Sequence, residues 1–340
     1  MGSDVDTTLR MDFELTEAQK KVSGEITENL KRGTSVFLSA VTGAGKSEIT
    51  FEGIRYFLGN GKKVGFAVPR RQVVLQLASR FAKAFPNLTV TKVCEGYTSL
   101  TEGDLIVCTT HQLYRYHEYF DYLVVDEADA FPFLHNPMLE KMTWDSCKGV
   151  KLIMSATLDE GMVKRYPEYA VCTLSRRPSN VPLAMPVCKY RIGFVLDLEL
   201  VKWILRKNEN QVKCMVFFPS IDVMEIWYRR MRKKISCGYL SSKSTDKEDV
   251  IAKFDSGKIR FLFTTTLMER GVTFSVIELC VYHADHEVFT MESLVQIMGR
   301  VGRDVSCPYG EGVFLCRRHT AAIEGCIRNI TRNNHDAYGV

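Results

Sequence analysis

The 340-residue chain has no apolar run approaching the roughly 18 residues that a membrane-spanning helix needs. Its opening, Met1-Gly2-Ser3-Asp4-Val5-Asp6, lacks the basic-then-apolar order of a secretory signal. These absences lead us to expect a cytoplasmic protein, with a peripheral position at the inner face of a membrane left open. Eleven cysteines are present but no Cys-x-x-Cys pair, so no zinc site is readable. Most lie in apolar segments such as 105–108 and 212–216, and they read as reduced thiols packed as small hydrophobes. The net charge is only +5, too small an excess to identify a polyanionic partner. Without a short-period repeat or a low-complexity stretch, solenoid and fibrous architectures are excluded.

What is present is ordinary globular usage, 46% hydrophobic and 25% charged, in a chain long enough for about two domains. Short apolar runs at 35–38, 63–68, 105–108, 122–125 and 151–154 read as buried strands. Between them lie amphipathic stretches such as Val73, Val74, Leu77, Ala78 and Phe81, so the first half is α/β with a mostly parallel sheet. Pro178, Pro182 and Pro186 then break the periodicity. The alternation restarts with strands at 214–218, 260–264, 279–282 and 312–315 and helices near 198–206, 222–234, 246–255 and 291–299. The expected layout is a disordered tag or leader over 1–14, a domain over 15–177, a linker over 178–188 and a second domain over 189–340.

Directly after the first strand comes Ala40-Val41-Thr42-Gly43-Ala44-Gly45-Lys46-Ser47, and then a helical pattern. Glycines there let backbone N–H groups close around phosphate oxygens, while Lys46 neutralises β/γ-phosphates and the Ser47 hydroxyl ligates Mg²⁺. Ala40 stands where the strict pattern has its first glycine, and an incidental glycine-rich turn is the alternative. The fourth apolar run ends in Asp126-Glu127-Ala128-Asp129. At the tip of a buried parallel strand, Asp126 can hold Mg²⁺ and Glu127 can orient and deprotonate a water; an acidic loop is the alternative.

Ser155 and Thr157, after the next strand, are candidates for coupling nucleotide to the second domain, or ordinary turn residues. Thr16 and Gln19 make a capping box, which explains both without a ligand; adenine recognition by Gln19 is the other reading. Arg300 and Arg303 follow Gln296 at a helix end, either as solvated charges or as arginine fingers. A buried-core role is not expected for them.

Taken in order, these motifs resemble the set found in superfamily 2 helicases and translocases, over residues 15 to 320 or so. The resemblance takes in Phe217-Phe218-Pro219-Ser220 and Thr264-Thr265-Thr266 through Gly271. It implies two tandem RecA-like domains clasping ATP and Mg²⁺ in the cleft between them, with Gly271 and Gln296 among the nucleotide-binding residues. Pro69-Arg70-Arg71 and Gln296 depart from the DEAD-box RNA group, which carries Pro-Thr-Arg and a His-Arg start at those places. The wordings around Ala40–Glu48 and Asp126–Phe133 are similar instead to the ComFA family of competence ATPases, which move transforming single-stranded DNA. Replication-restart helicases of the PriA type share the phosphate loop but not the carboxylate motif.

ComFA proteins usually carry a four-cysteine zinc module before this core. Nothing before Leu15 supplies one, so a truncated chain without zinc is expected. Family position further implies DNA contacts by Pro69, Arg70, Arg71, Thr109, His111, Ser220, Thr264 and Thr265, each with a turn-residue alternative. The basic run 229–234 reads as a solvated helix end. The expected activity is DNA-stimulated ATP hydrolysis that drives movement along single-stranded DNA. Other competence proteins are expected partners, and an oligomeric state is left open. An RNA helicase, a PriA-like helicase, a small-molecule phosphate-loop enzyme and a non-catalytic ATP-gated clamp remain as alternatives.

Overall fold

Continuous apolar runs can be buried on both faces only if helices cover both sides of a parallel sheet, and each half of this chain does that. The computed structural model describes residues 6–11, 14–128, 136–157, 160–265, 278–302 and 308–339. The chain divides into two units, Met1–Pro178 and Ser179–Val340.

In the first unit α1 (Glu17–Lys31) leads into β1 (Val36–Ala40), α2 (Phe51–Gly59), β2 (Val64–Val68), α3 (Arg71–Ala84), β3 (Val90–Val93) and β4 (Leu105–Thr109). There follow β5 (Phe120–Val125), α4 (Pro137–Ser146), β6 (Cys147–Ser155), α5 (Glu160–Arg165) and β7 (Ala170–Leu174). The seven strands run β3-β4-β2-β5-β6-β1-β7, and every pairing is parallel. All carboxyl ends therefore lie on one edge of the sheet, where ligands of such sheets bind. One side of the core packs Phe37, Ile106, Phe120, Leu123 and Ile153, each 0% exposed. Burying one such side chain contributes about 1.5–3 kcal/mol, so this layer fixes where the strand ends stand.

The second unit comprises β8 (Pro186–Tyr190), α6 (Phe194–Glu209), β9 (Cys214–Phe218), α7 (Ile221–Met231), β10 (Cys237–Leu240), α8 (Lys247–Asp255) and β11 (Phe261–Thr265). Then come β12 (Glu278–Tyr282), α9 (Met291–Met298), β13 (Gly312–Cys316) and α10 (Ala321–Tyr338). Its six strands run β10-β11-β9-β12-β13-β8, again all parallel. Trp203, Phe218, Phe261 and Phe263 are buried at its centre.

The expected linker 178–188 begins where the two units divide and is held to the second of them: Leu183 donates to Asn334 Oδ1 (2.8 Å) and accepts from Asn334 Nδ2 (2.9 Å), and Pro186 opens strand β8. Proline is admissible there because β8 is an edge strand. Among the described residues of the leader, Arg10 N–H donates to Ala84 O (2.7 Å) and Asn87 donates to Asp6 (2.7 Å), so this part is tied to the first unit. The ten described cysteines are free, and burial pushes the Cys108 thiol up to about 12. Among the described residues no helix is long and apolar enough to cross a membrane.

Candidate nucleotide site and nucleic-acid face

β1 delivers the chain to the ligand edge at Ala40, still strand and 1% exposed, where no glycine conformation is needed. The loop beyond it turns through Gly43 (φ +84°) and Gly45 (φ +76°), both in the left-handed region that side chains disfavour. A Cβ on Gly45 would stand 2.5 Å from Gln19 Nε2, so a larger residue would displace that amide as well as strain the backbone. Gln19 makes both halves of the capping box with Thr16, and its Nε2 donates to Ala44 O at 2.8 Å. It thus clamps the phosphate loop to α1. Glu48, just past Ser47, forms an ion pair with Arg80 on α3, and Ser23 Oγ donates to Ile49 O at 2.8 Å. The loop leads first into a 3-10 turn (Glu48–Thr50) and only then into α2.

Lys46 Nζ lies 3.4 Å from Asp126 Oδ1, with the two side chains 14% and 13% exposed. Asp126 extends β5, its N–H donating to Ala67 O on β2 (2.9 Å), and its Oδ1 accepts from Glu127 N–H (2.8 Å). Glu127 has φ +56°, a non-glycine residue in a sparsely populated conformation that its surroundings must impose. Strand β6 separates β1 from β5, and its end carries Ser155. Ser155 Oγ donates to Thr157 O (2.5 Å) and accepts from Thr157 N–H (2.9 Å), which closes the segment into a hydroxyl-braced turn.

Two left-handed glycines, an ammonium, a hydroxyl and a carboxylate at one sheet edge suit a magnesium–triphosphate. The donors are hard oxygens, and Mg²⁺ is commonly bound by one or two carboxylates together with substrate phosphates. Sequence reasoning missed Arg177. It is 4% exposed and its Nε donates to Thr42 O at 3.0 Å, holding the loop from the far end of the unit. No local signal marks it, since it sits in the proline-rich stretch.

In the second unit, α9 is capped by Thr290 and carries a half-buried Gln296. Arg300 follows it and is only 7% exposed. This corrects the solvated-charge reading for Arg300 and also the expectation that it would not be buried. Gly271 and Arg303 lie outside the described residues, as does Asp129.

On the sheet edge, Pro69 is buried, Arg70 precedes α3, and Arg71 opens it with Nε donating to Glu95 O at 2.9 Å. His111 is exposed, whereas Thr109 is 9% exposed. Thr264 and Thr265 are 1% and 5% exposed, and Thr264 Oγ1 donates to Thr265 O. Ser220 Oγ accepts from Val223 N–H as the cap of α7. Thr264 and Thr265 are thus buried strand-end hydroxyls, whereas Ser220 caps a helix and is exposed. Arg229 pairs with Glu225 and is 73% exposed, as a solvated helix end requires.

Comparison with known proteins agrees with this geometry. Residues 12–160 match the family described as type III restriction enzyme, res subunit, and residues 196–305 match the helicase conserved C-terminal domain. Relatives include competence protein ComFA of Streptococcus pneumoniae, 31% identical over 338 residues that span 95% of this chain and 78% of the relative. ComFA of Bacillus subtilis is 28% identical over 90% of this chain and 69% of its own length. The ATP-dependent DNA helicase RecG of Treponema pallidum is 24% identical, over 86% of this chain and 47% of that protein. Two parallel RecA-like sheets, both helicase domain matches and these relatives together place the chain in the ComFA family of ATP-hydrolysing superfamily 2 DNA helicases and translocases.

Proposed function

We propose that the chain is a single-stranded DNA translocase that serves the uptake of transforming DNA, fuelled by ATP bound at residues 42–47. The observation that carries the reading is the placement of Lys46, Asp126 and Glu127 together at the carboxyl edge of the first sheet. The competence role is supported by the names of the two ComFA relatives.

In this reading the backbone of 42–47 and the Lys46 ammonium bind the β- and γ-phosphates, and Gln19 and Arg177 hold the loop in shape. Ser47 and Asp126 would hold Mg²⁺, which when bound adds positive charge against the phosphate oxygens. Glu127 orients a water for in-line attack on the γ-phosphorus and accepts its proton at the carboxylate. Arg300 and Arg303 act on the charge that develops at the γ-phosphate, Gln296 and Gly271 contribute to nucleotide binding, and Ser155 and Thr157 couple turnover to movement. Pro69, Arg70, Arg71 and His111 hold the strand by its phosphates, which reads no sequence.

The test is displacement of streptavidin from the end of a biotinylated single strand. Release that needs hydrolysable ATP, and is lost in Glu127→Gln, is the expected result. Release that is independent of ATP, or equal in Glu127→Gln, would overturn translocation.

A further inference from the structure

Phosphate contacts alone do not distinguish a single strand from a duplex, and one cluster beside Arg71 offers a means. Edge strand β3 is followed by a turn in which Cys94 N–H donates to Tyr97 O (3.2 Å) and Tyr97 N–H to Cys94 O (2.8 Å). Gly96 makes the turn with φ +80°. The turn presents Tyr97, 36% exposed, while Cys94 beneath it is 0% exposed and anchors it to the core. Lys92 Nζ lies 4.2 Å from the centre of the Tyr97 ring, and the Arg71 guanidinium carbon lies 5.8 Å from it. Arg71 also bonds the backbone of the turn at Glu95, whose exposed carboxylate is an opposing charge on the same turn. Both cations lie over the ring, within the roughly 6 Å range of a cation–π contact.

We propose that Tyr97 is a base-stacking platform for single-stranded nucleic acid, with Arg71 and Lys92 holding the adjacent phosphates. The proposal rests on the nucleic-acid reading above and adds the element that senses strand state. Every base has a π-face, so a stacking ring binds any sequence, but a duplex keeps those faces inside its own stack. Cations within reach of the ring supply the salt-dependent grip that such grooves pair with stacking. The pattern recurs on the neighbouring strand: in the 3-10 segment Thr110–Arg115 that follows β4, Tyr114 is 61% exposed with the Arg115 guanidinium 5.0 Å from its ring.

The test compares binding of an oligo-dT strand with that of an abasic strand of the same length, at one salt concentration, by fluorescence anisotropy. The abasic strand keeps the phosphates and removes only the stacking partner. Wild type is expected to prefer oligo-dT by about 5- to 150-fold, the range that stacking one base supplies. Tyr97→Ala should reduce that preference at least severalfold and Tyr97→Phe should keep it. Tyr97→Leu, of similar bulk without a π-face, should behave as Tyr97→Ala and covers the case in which the alanine variant melts early. Full preference retained in Tyr97→Leu, or equal binding of both strands by wild type, would overturn the platform and leave phosphate-directed binding standing. Binding of neither strand by wild type would overturn the nucleic-acid reading itself.

Discussion

Lys46 and Asp126 form an ion pair, Nζ to Oδ1 3.4 Å, although their parent strands β1 and β5 are not neighbours. Strand β6 lies between them, and the two loops meet over its end. The ammonium proposed to bind phosphate is thus paired with the carboxylate proposed to hold the metal. Lys46→Ala removes that ammonium. We expect MgATP affinity to fall by at least about 10- to 100-fold, the loss from a charged hydrogen bond or two, as read by fluorescent-nucleotide titration. Unchanged affinity would remove the phosphate-loop assignment.

Glu127 is the proposed base, held at φ +56° beside Asp126. Glu127→Gln keeps shape and takes away the proton acceptor. Turnover should drop by about 10²- to 10⁴-fold while nucleotide titration stays near wild type. If steady-state hydrolysis survives, the base lies elsewhere.

Arg177 braces the phosphate loop through Thr42 O without belonging to any motif. Arg177→Gln should raise KM for ATP by about tenfold or more, the order of one charged hydrogen bond, with a smaller change in kcat. Arg177→Lys, which keeps a donor but not the planar fork, should fall between. A variant that loses only melting temperature, with KM unchanged, would reduce Arg177 to a packing role.

The parts of the fold that the sequence made legible are those whose chemistry is local. Each interior strand announces itself as an apolar run, whereas β3, β7, β8 and β10 went unread. All four are sheet edges, half exposed, with residues such as Lys92 and Lys189 interrupting the apolar pattern. The loop 42–47 and Asp126 could be found because glycine at left-handed φ and an acid at a strand tip leave marks in the sequence. Arg177 could not, since its contact with Thr42 O lies 135 residues away in the chain. The hydroxyls of Ser220, Thr264 and Thr265 are ambiguous in sequence, because caps and buried strand ends use the same residue types as phosphate ligands.

Arg300 and Arg303 are proposed to act on transition-state charge more than on ground-state binding, the behaviour of arginine fingers. Arg303→Ala should cut DNA-stimulated turnover by about 10³-fold or more, with nucleotide affinity changed far less. Because Arg300 is 7% exposed, its replacement is tested as Arg300→Lys, with a thermal melt alongside the rate. Turnover within about twofold of wild type in Arg303→Ala, far below any finger effect, would leave that arginine no role in hydrolysis.

Coupling of ATP hydrolysis to single-stranded DNA is read out by the steady-state ATPase rate of the wild-type chain, measured with no polymer, with single-stranded DNA, with duplex DNA and with RNA at equal nucleotide concentration. Single-stranded DNA is expected to stimulate the rate severalfold, duplex and RNA less, and the stimulation should fade as salt screens the phosphates. A rate indifferent to all three polymers, or one raised by RNA alone, would contradict that coupling.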